Sequence, residues 1–389
     1  MADSVQFQTI PNSNRLSDEA RAQLIAEPGF GKVFTDHMVT IEWTEDAGWH
    51  DARVRAREPF SIDPASAVLH YAQEIFEGLK AYRLADGGIA LFRPEANAAR
   101  FNASARGMKA YRGSDGAITL FRPEENARRF NQSAHRMAMP ELPEELFLEA
   151  IERLVAIDAA WIPAGEGSLY LRPFMFANDV FLGVRPAKRY VFCVIASPVG
   201  AYFKGGAKPI SVWVSDNYSR AAAGGTGAAK CGGNYAGSLI AQAEAIEHGC
   251  DQVVFLDAAE HRWVEELGGM NIFFVFDDGT VKTPPLGTIL PGITRASVIA
   301  LARDKGIVVE EARYGFDQWQ ADAQSGRLRE VFVCGTAATI VSVGRILHSG
   351  GEFLIGGGEA GPVTQDLRDR LVAIQRGETN DQFGWRRTL

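Results

Sequence analysis

Cysteine is scarce in this chain. The 389 residues hold four (Cys193, Cys231, Cys250 and Cys334), with no C-x-x-C pair and no metal-ligand spacing. Disulfide frameworks belong to short, cysteine-dense secreted chains, so neither a disulfide scaffold nor a metal site is expected. Long apolar runs are lacking too. No stretch approaches the ~18 residues a membrane span needs. The opening Met1-Ala2-Asp3-Ser4-Val5-Gln6 has neither a basic stretch nor an apolar signal core, so no membrane partner is expected and the cytoplasm is the expected compartment. Positive charge is in deficit: 40 Lys and Arg stand against 48 Asp and Glu, a formal net charge of −8, which argues against nucleic acid as a partner. The hydrophobic share of 46% and charged share of 23% are ordinary globular values. Single cores rarely grow past ~250–300 residues, so two domains are expected.

Glycine is plentiful, and it gathers around one lysine. Lys230 sits in Ala222-Ala223-Gly224-Gly225-Thr226-Gly227-Ala228-Ala229-Lys230-Cys231-Gly232-Gly233-Asn234-Tyr235-Ala236-Gly237-Ser238. Clustered glycines cost entropy on folding and point to unusual backbone angles or to close approach of something bulky. A phosphate-cradling P-loop needs Gly before the lysine and Ser or Thr after it, but Ala229 and Cys231 stand there. A dinucleotide fingerprint starting at Gly225 would need a glycine at the lysine's own position. Two readings stay open for this segment: a glycine-rich surface loop carrying an ordinary lysine, and a lysine held against a planar cofactor, with a Schiff base to pyridoxal phosphate leading.

Apolar and β-branched runs at Val33–Trp43, Gly88–Phe92, Tyr190–Ala196, Ile210–Val214, Gln252–Leu256, Met270–Phe276 and Glu330–Val333 read as strands. Helical periodicity marks Pro143–Asp158, Tyr235–His248, Thr294–Lys305 and Thr364–Arg376. The expected class is α+β: a small N-terminal domain over residues 1–196, an interdomain loop over 197–208, and a larger β-rich domain with surrounding helices over 209–389. Residues 78–106 and 107–135 form a gapless tandem repeat, GLKAYRLADGGIALFRPEANAARFNASAR followed by GMKAYRGSDGAITLFRPEENARRFNQSAH. Each copy reads as strand, Asp-Gly turn, strand, and a helix opened by Arg-Pro-Glu. Two copies are too few for a solenoid, so one duplicated supersecondary unit is the simpler account.

Four further segments bear on chemistry. Glu265 and Glu266 precede a very apolar strand, and a carboxylate in low-dielectric surroundings needs a cationic partner such as a pyridinium nitrogen; a solvated acidic turn is the plain alternative. Leu290-Pro291-Gly292-Ile293-Thr294-Arg295 places glycine ahead of a helix, whose free N–H groups can face an anion. Cys334-Gly335-Thr336-Ala337-Ala338-Thr339 follows a strand and offers small residues and hydroxyls. In Ser168-Leu169-Tyr170-Leu171-Arg172-Pro173, alternation puts Tyr170 and Arg172 on one strand face, as a surface pair or a carboxylate clamp.

Together AAGGTGAAKCGGNYAGSL, EELGGMNIFFVF, LPGITR, CGTAA, SLYLRPF, ASPVGAYFKGG and HYAQEIFEGLKAYR resemble the branched-chain amino-acid aminotransferases of fold type IV, most closely their actinobacterial branch. The resemblance spans nearly the whole chain. It implies pyridoxal 5′-phosphate as cofactor, and exchange of amino groups between L-leucine, L-isoleucine or L-valine and 2-oxoglutarate, giving L-glutamate. Lys230 matches the Schiff-base and proton-shuttling lysine, Tyr235 the tyrosine on the cofactor's phenolic oxygen, and Glu266 the carboxylate on its ring nitrogen. Ile293 and Thr294 match the phosphate-binding turn, and Thr336 a phosphate-binding hydroxyl. The amides of Thr336 and Ala337, with Tyr170, match the α-carboxylate site. Tyr71, Phe76 and Tyr202 match an aromatic pocket wall, and Arg172 the partner of the glutamate γ-carboxylate. Leu182 and Val184 match a loop closing the neighbouring subunit's pocket, which implies at least a homodimer. Ala338 and Val341 stand where some relatives carry a redox C-x-x-C, so thiol regulation there is not expected.

The repeat departs from the family, which has one such unit. Arg100 and Arg129 both match its phosphate-gripping arginine. Insertion is best tolerated at a hairpin tip, so a hybrid register is expected: Gly78–Arg83 pairs with Ala117–Phe121, the extra residues leave near Asp86–Asp115, and Arg129 serves. Two alternatives stand beside the main reading. One is a D-amino-acid aminotransferase or aminodeoxychorismate lyase of the same fold. The other is an inactive homologue whose duplication has spoiled the phosphate cup.

Overall fold

A computed structural model describes residues 5–81, 109–112, 118–163, 167–200 and 208–389. For residues 109–112 only the backbone is described. Arg100, Tyr202 and the expected strand at 88–92 lie outside the described residues.

The N-terminal part is built on a sheet whose strands run in the order Gln8–Thr9, Gly48–Ala56, His37–Thr44, Arg189–Val199 and Ser168–Ala177. Glu74–Phe76 and Leu79–Ala81 both pair antiparallel with Ser168–Ala177 at its far edge. Side chains alternate across a strand. Leu169, Leu171 and Met175 are buried in the core beneath the helices Pro123–Arg136 and Glu144–Ile157. The intervening Tyr170, Arg172 and Phe174 are only half-buried and face the other way. Across from them, Phe76 is in register with Phe174 and Lys80 with Tyr170. One face of this sheet therefore makes a core. The other carries the aromatic and basic side chains of the candidate site.

The C-terminal part is a closed barrel. Its order is Val264–Leu267, Gln252–Leu256, Ile210–Val214, Thr339–His348, Leu328–Gly335 and Met270–Phe276, and the last strand pairs back onto the first. Runs such as Val253-Val254-Phe255-Leu256 and Ile272-Phe273-Phe274-Val275 are buried throughout, because barrel interior and covering helices take both faces. Ile293–Asp304 and Pro362–Arg376 cover one side, packing Val298, Leu301, Leu367 and Leu371 onto Phe273 and Phe332.

The strands expected at Ile210–Val214, Gln252–Leu256 and Met270–Phe276 have those bounds. The helix expected over Tyr235–His248 is instead two, Gly232–Ala236 and Leu239–Glu247, since glycines 232, 233 and 237 weaken a continuous helix. The strand Arg189–Val199 runs past residue 196, where the first domain was expected to end. The C-terminal strand Arg386–Thr388 returns to pair with Ile118–Phe121 of the N-terminal part.

The hybrid register is not what forms. Ile118–Phe121 pairs with Lys109–Arg112, the strand of its own copy, and Leu79–Ala81 of the first copy stays on the N-terminal sheet. The reason is local: a hairpin between strands a few residues apart closes at about 1–2 kcal/mol less entropic cost than pairing across an intervening segment. Arg129 nevertheless comes from the second copy's helix, Pro123–Arg136, which packs beneath the sheet.

Candidate active site

Lys230 lies where the N-terminal sheet meets the barrel. Its backbone is held on both sides: its N–H donates to Ser133 Oγ at 3.0 Å, and its carbonyl accepts from the Phe76 N–H at 2.9 Å. The next peptide is tied as well, since the Gly232 N–H donates to the Glu74 carboxylate. A Cβ at residue 232 would push that carboxylate aside. The side chain then runs to Tyr235, where Nζ meets the phenolic oxygen at 2.7 Å. The Phe76 ring lies 4.9 Å from the Tyr235 ring and 4.7 Å from Lys230 Nζ. An amine and a phenol in direct contact can exchange a proton.

Glu266 stands close enough to Lys230 for the amine's charge to favour its ionised form. It is buried, and burial pushes its carboxyl up to about 7 against the opposing pull of Arg220, the Leu290 N–H and Lys230. Arg220 pairs with Glu266 Oε1 and also donates to the carbonyls of Gly227 and Thr288, at 2.9 and 3.1 Å. Asn271 Nδ2 donates to Glu266 Oε2 at 3.0 Å and to the Leu290 carbonyl at 3.1 Å. Neighbouring Glu265 accepts instead from the Thr288 hydroxyl. Burial outweighs the adjacent guanidinium here, and a further cation beside the carboxyl would favour its ionised form.

Beyond Leu290 the chain turns through Pro291 and Gly292 into the helix Ile293–Asp304, whose first-turn Ile293 and Thr294 are buried. Arg129 reaches this turn by donating to the Pro291 carbonyl at 3.2 Å. Its other face grips Glu77 in a fork, Nε to Oε1 at 2.7 Å and Nη2 to Oε2 at 2.6 Å. A guanidinium beside helix N-terminal amides suits a phosphate.

The turn Thr336-Ala337-Ala338 joins Leu328–Gly335 to Thr339–His348. It is tethered to the N-terminal sheet by Lys80, whose Nζ donates to the Ala337 carbonyl at 2.8 Å. On that sheet Arg172 Nη2 donates to the Tyr170 hydroxyl at 3.0 Å, and its guanidinium carbon lies 4.7 Å from the Phe76 ring centroid. Arg172 Nε is buried without a hydrogen-bond partner. A Cβ at Gly78 would run into the Tyr170 hydroxyl, so glycine opens the floor here.

The structure thus gathers Lys230, Tyr235, Glu266, Phe76, Tyr170 and Arg172, with Arg129 on the turn before Ile293 and Thr294. Tyr71 is not brought to this cluster. Its hydroxyl donates to the Leu182 carbonyl at 2.6 Å, beside the strongly exposed Leu182 and Val184. Sequence reasoning missed Arg220, Asn271, Glu77, Ser133 and Lys80. Arg220, in the run leading to Lys230, was the one with a readable signal: a basic residue entering the same glycine frame. Among the described residues no cluster of His, Cys, Asp and Glu could hold a metal ion, and no helix is long and apolar enough to cross a membrane.

The residues fit pyridoxal 5′-phosphate: an amine beside a phenol, a buried carboxyl whose ionised form a ring-nitrogen cation would favour, and an anion cradle, on a sheet-plus-barrel frame. That combination defines a pyridoxal-phosphate enzyme of fold type IV. Residues 74–346 match the family model described as amino-transferase class IV, and the chain belongs to that family. It is 54% identical over 381 residues to a probable branched-chain-amino-acid aminotransferase of Streptomyces coelicolor, covering 97% of each chain. It is 52% identical over 387 residues to a branched-chain-amino-acid aminotransferase of Mycolicibacterium smegmatis, covering 98% of this chain and 97% of the relative. Among solved structures, a branched-chain amino acid aminotransferase with pyridoxamine 5′-phosphate superposes with a TM-score of 0.67 at 29% identity, over 89% of this chain and 97% of that one. The Escherichia coli branched-chain amino acid aminotransferase gives 0.64 at 28%, over 90% and 98%.

Proposed function

We propose that this protein is a branched-chain-amino-acid transaminase that moves the amino group of L-leucine, L-isoleucine or L-valine to 2-oxoglutarate, with pyridoxal 5′-phosphate as cofactor. The observation that carries the reading is the 2.7 Å contact of Lys230 Nζ with Tyr235, in the same buried site as the perturbed Glu266 carboxyl. The cofactor, when bound, supplies an aldehyde and an electron-withdrawing ring.

This chain's own groups do the rest. Lys230 would hold the cofactor and would carry the proton at the substrate Cα. Tyr235 steadies that amine and the neighbouring phenolic oxygen. Glu266, held by Arg220 and Asn271, would pair with the ring nitrogen. Arg129, the amides of Ile293 and Thr294, and the Thr336 hydroxyl hold the phosphate. The amides of Thr336 and Ala337, with Tyr170, receive the substrate α-carboxylate. Phe76 and Tyr202 provide the apolar wall, and Arg172, with its unpartnered Nε, receives the glutamate γ-carboxylate. An apolar pocket separates ligands differing by one methylene by only ~1–3 kcal/mol, so all three aliphatic amino acids are accepted.

The exposed Leu182 and Val184, linked to Tyr71, support a homodimer in which this loop covers the neighbouring pocket. The proposed compartment is the cytoplasm. Sedimentation as a monomer would count against that part. The activity is tested with purified protein and added pyridoxal 5′-phosphate. L-leucine and 2-oxoglutarate should give glutamate, and Lys230→Ala should abolish both turnover and the cofactor's near-visible absorbance. Transfer from D-alanine but not L-leucine would overturn the assignment.

A further inference from the structure

Lys80 is a buried cation without a counter-anion among the described residues. Its residue is 5% exposed, and its side chain lies on the site face of the sheet, in register with Tyr170. The ammonium has three donors. One meets the Ala337 carbonyl at 2.8 Å, and no carboxylate among the described residues pairs with it. Burial without an opposite charge holds its pKa down, to about 8, which still leaves it protonated at neutral pH. A neutral donor would serve to pin a turn. A buried ammonium with donors to spare is costly unless an anion arrives.

We propose that Lys80 is a substrate-binding residue: anchored on the Ala337 carbonyl, its ammonium supplies the positive charge opposite the α-carboxylate that the Thr336–Ala337 turn receives. The proposal rests on the transaminase reading above, because both half-reactions bring a carboxylate next to the reacting carbon. Backbone amides offer only partial charges, so a full charge at this turn is what draws an ionised carboxylate from water into an aromatic-walled site. Arg172 is distinct from this role. It lies on the neighbouring strand, against Tyr170 and Phe76, where it is left for the second carboxylate of glutamate.

The test compares 4-methylvaleric acid, the leucine skeleton with its carboxylate, with the corresponding neutral amide. Both are titrated into the holoenzyme and followed by the cofactor absorbance. In Lys80→Met the dissociation constant of the acid should rise about 10- to 100-fold, the range of a hydrogen bond to a charged group, while that of the amide moves less than about twofold. KM for L-leucine and for 2-oxoglutarate should rise together. Lys80→Arg should keep most of the acid affinity, whereas Lys80→Gln, which keeps a donor but no charge, should lose it. This Arg–Gln contrast decides the matter even where Lys80→Met folds poorly. Equal weakening of acid and amide, or Gln performing as well as Arg, would overturn the proposal in favour of a purely structural tether. A wild-type holoenzyme that binds the acid but transfers no amino group from leucine would sink the transaminase reading instead, leaving the Lys80 contrast measurable.

Discussion

Replacing Arg129 separates its two tasks. The guanidinium forms a two-bond fork with Glu77, and the two side chains are 3% and 0% exposed. Asn126 and the Gly78 N–H also donate to that carboxylate, at 2.5 and 3.3 Å. Arg129→Ala removes the charged partner and leaves a fully buried carboxylate with only neutral donors. Breaking a buried pair in this way costs about 3–5 kcal/mol, a large part of the ~5–15 kcal/mol that holds a typical protein folded. Denaturant unfolding of the cofactor-free protein should therefore show a large drop in midpoint. The double variant Arg129→Met with Glu77→Gln removes both charges together, and should recover most of that stability. It should not recover cofactor affinity, because the phosphate still lacks its guanidinium. Removing one charged hydrogen bond predicts pyridoxal phosphate binding weaker by about 10- to 100-fold. Arg100→Ala, in the other copy of the repeat, should leave that affinity unchanged. Wild-type cofactor affinity in the double variant, or loss in Arg100→Ala, would refute the assignment of Arg129 to the phosphate. A stability loss below about 1 kcal/mol in Arg129→Ala would refute the buried fork itself.

Two further outcomes follow from the site. Burial raises the Glu266 carboxyl from 4.5 to about 7. A carboxyl raised on folding stabilises the protein while protonated, and that contribution is lost as pH rises through the folded value. The thermal midpoint of the cofactor-free protein should fall between about pH 5 and pH 7.5, Glu266→Gln should flatten part of that fall, and an unchanged slope in the variant would contradict the shift. Gly78→Ala places a methyl on the Tyr170 hydroxyl. Overpacking of this kind costs about 1–3 kcal/mol of folding stability, so the denaturant midpoint should drop, and an unaltered midpoint would mean that Tyr170 moves aside freely.

The strands of the barrel were legible in the sequence because they are short, continuous apolar runs bounded by turns. Ile210–Val214 and Met270–Phe276 needed no partner to be recognised. Lys230 was legible for a different reason: glycine and alanine on both sides of a lysine is a local pattern, and EELGGMN, LPGITR and CGTAA follow it in order. Local patterns of this kind belong to the sequence alone, as do the charge balance and the repeat.

What depends on residues far apart in the chain was decided only by the tertiary structure. The partner of Ile118–Phe121 proved to be the adjacent hairpin strand, because closing a short loop outweighs the continuity that favoured a longer one. Arg220 against Glu266, Ser133 beneath Lys230 and Glu77 within the Arg129 fork are likewise pairings that no spacing announces. Lys80 makes the contrast sharpest. In the sequence it is one of two equivalent lysines in a repeated GxKAYR motif. Only burial, and the carbonyl it meets across the sheet–barrel junction, give it a charge in search of an anion.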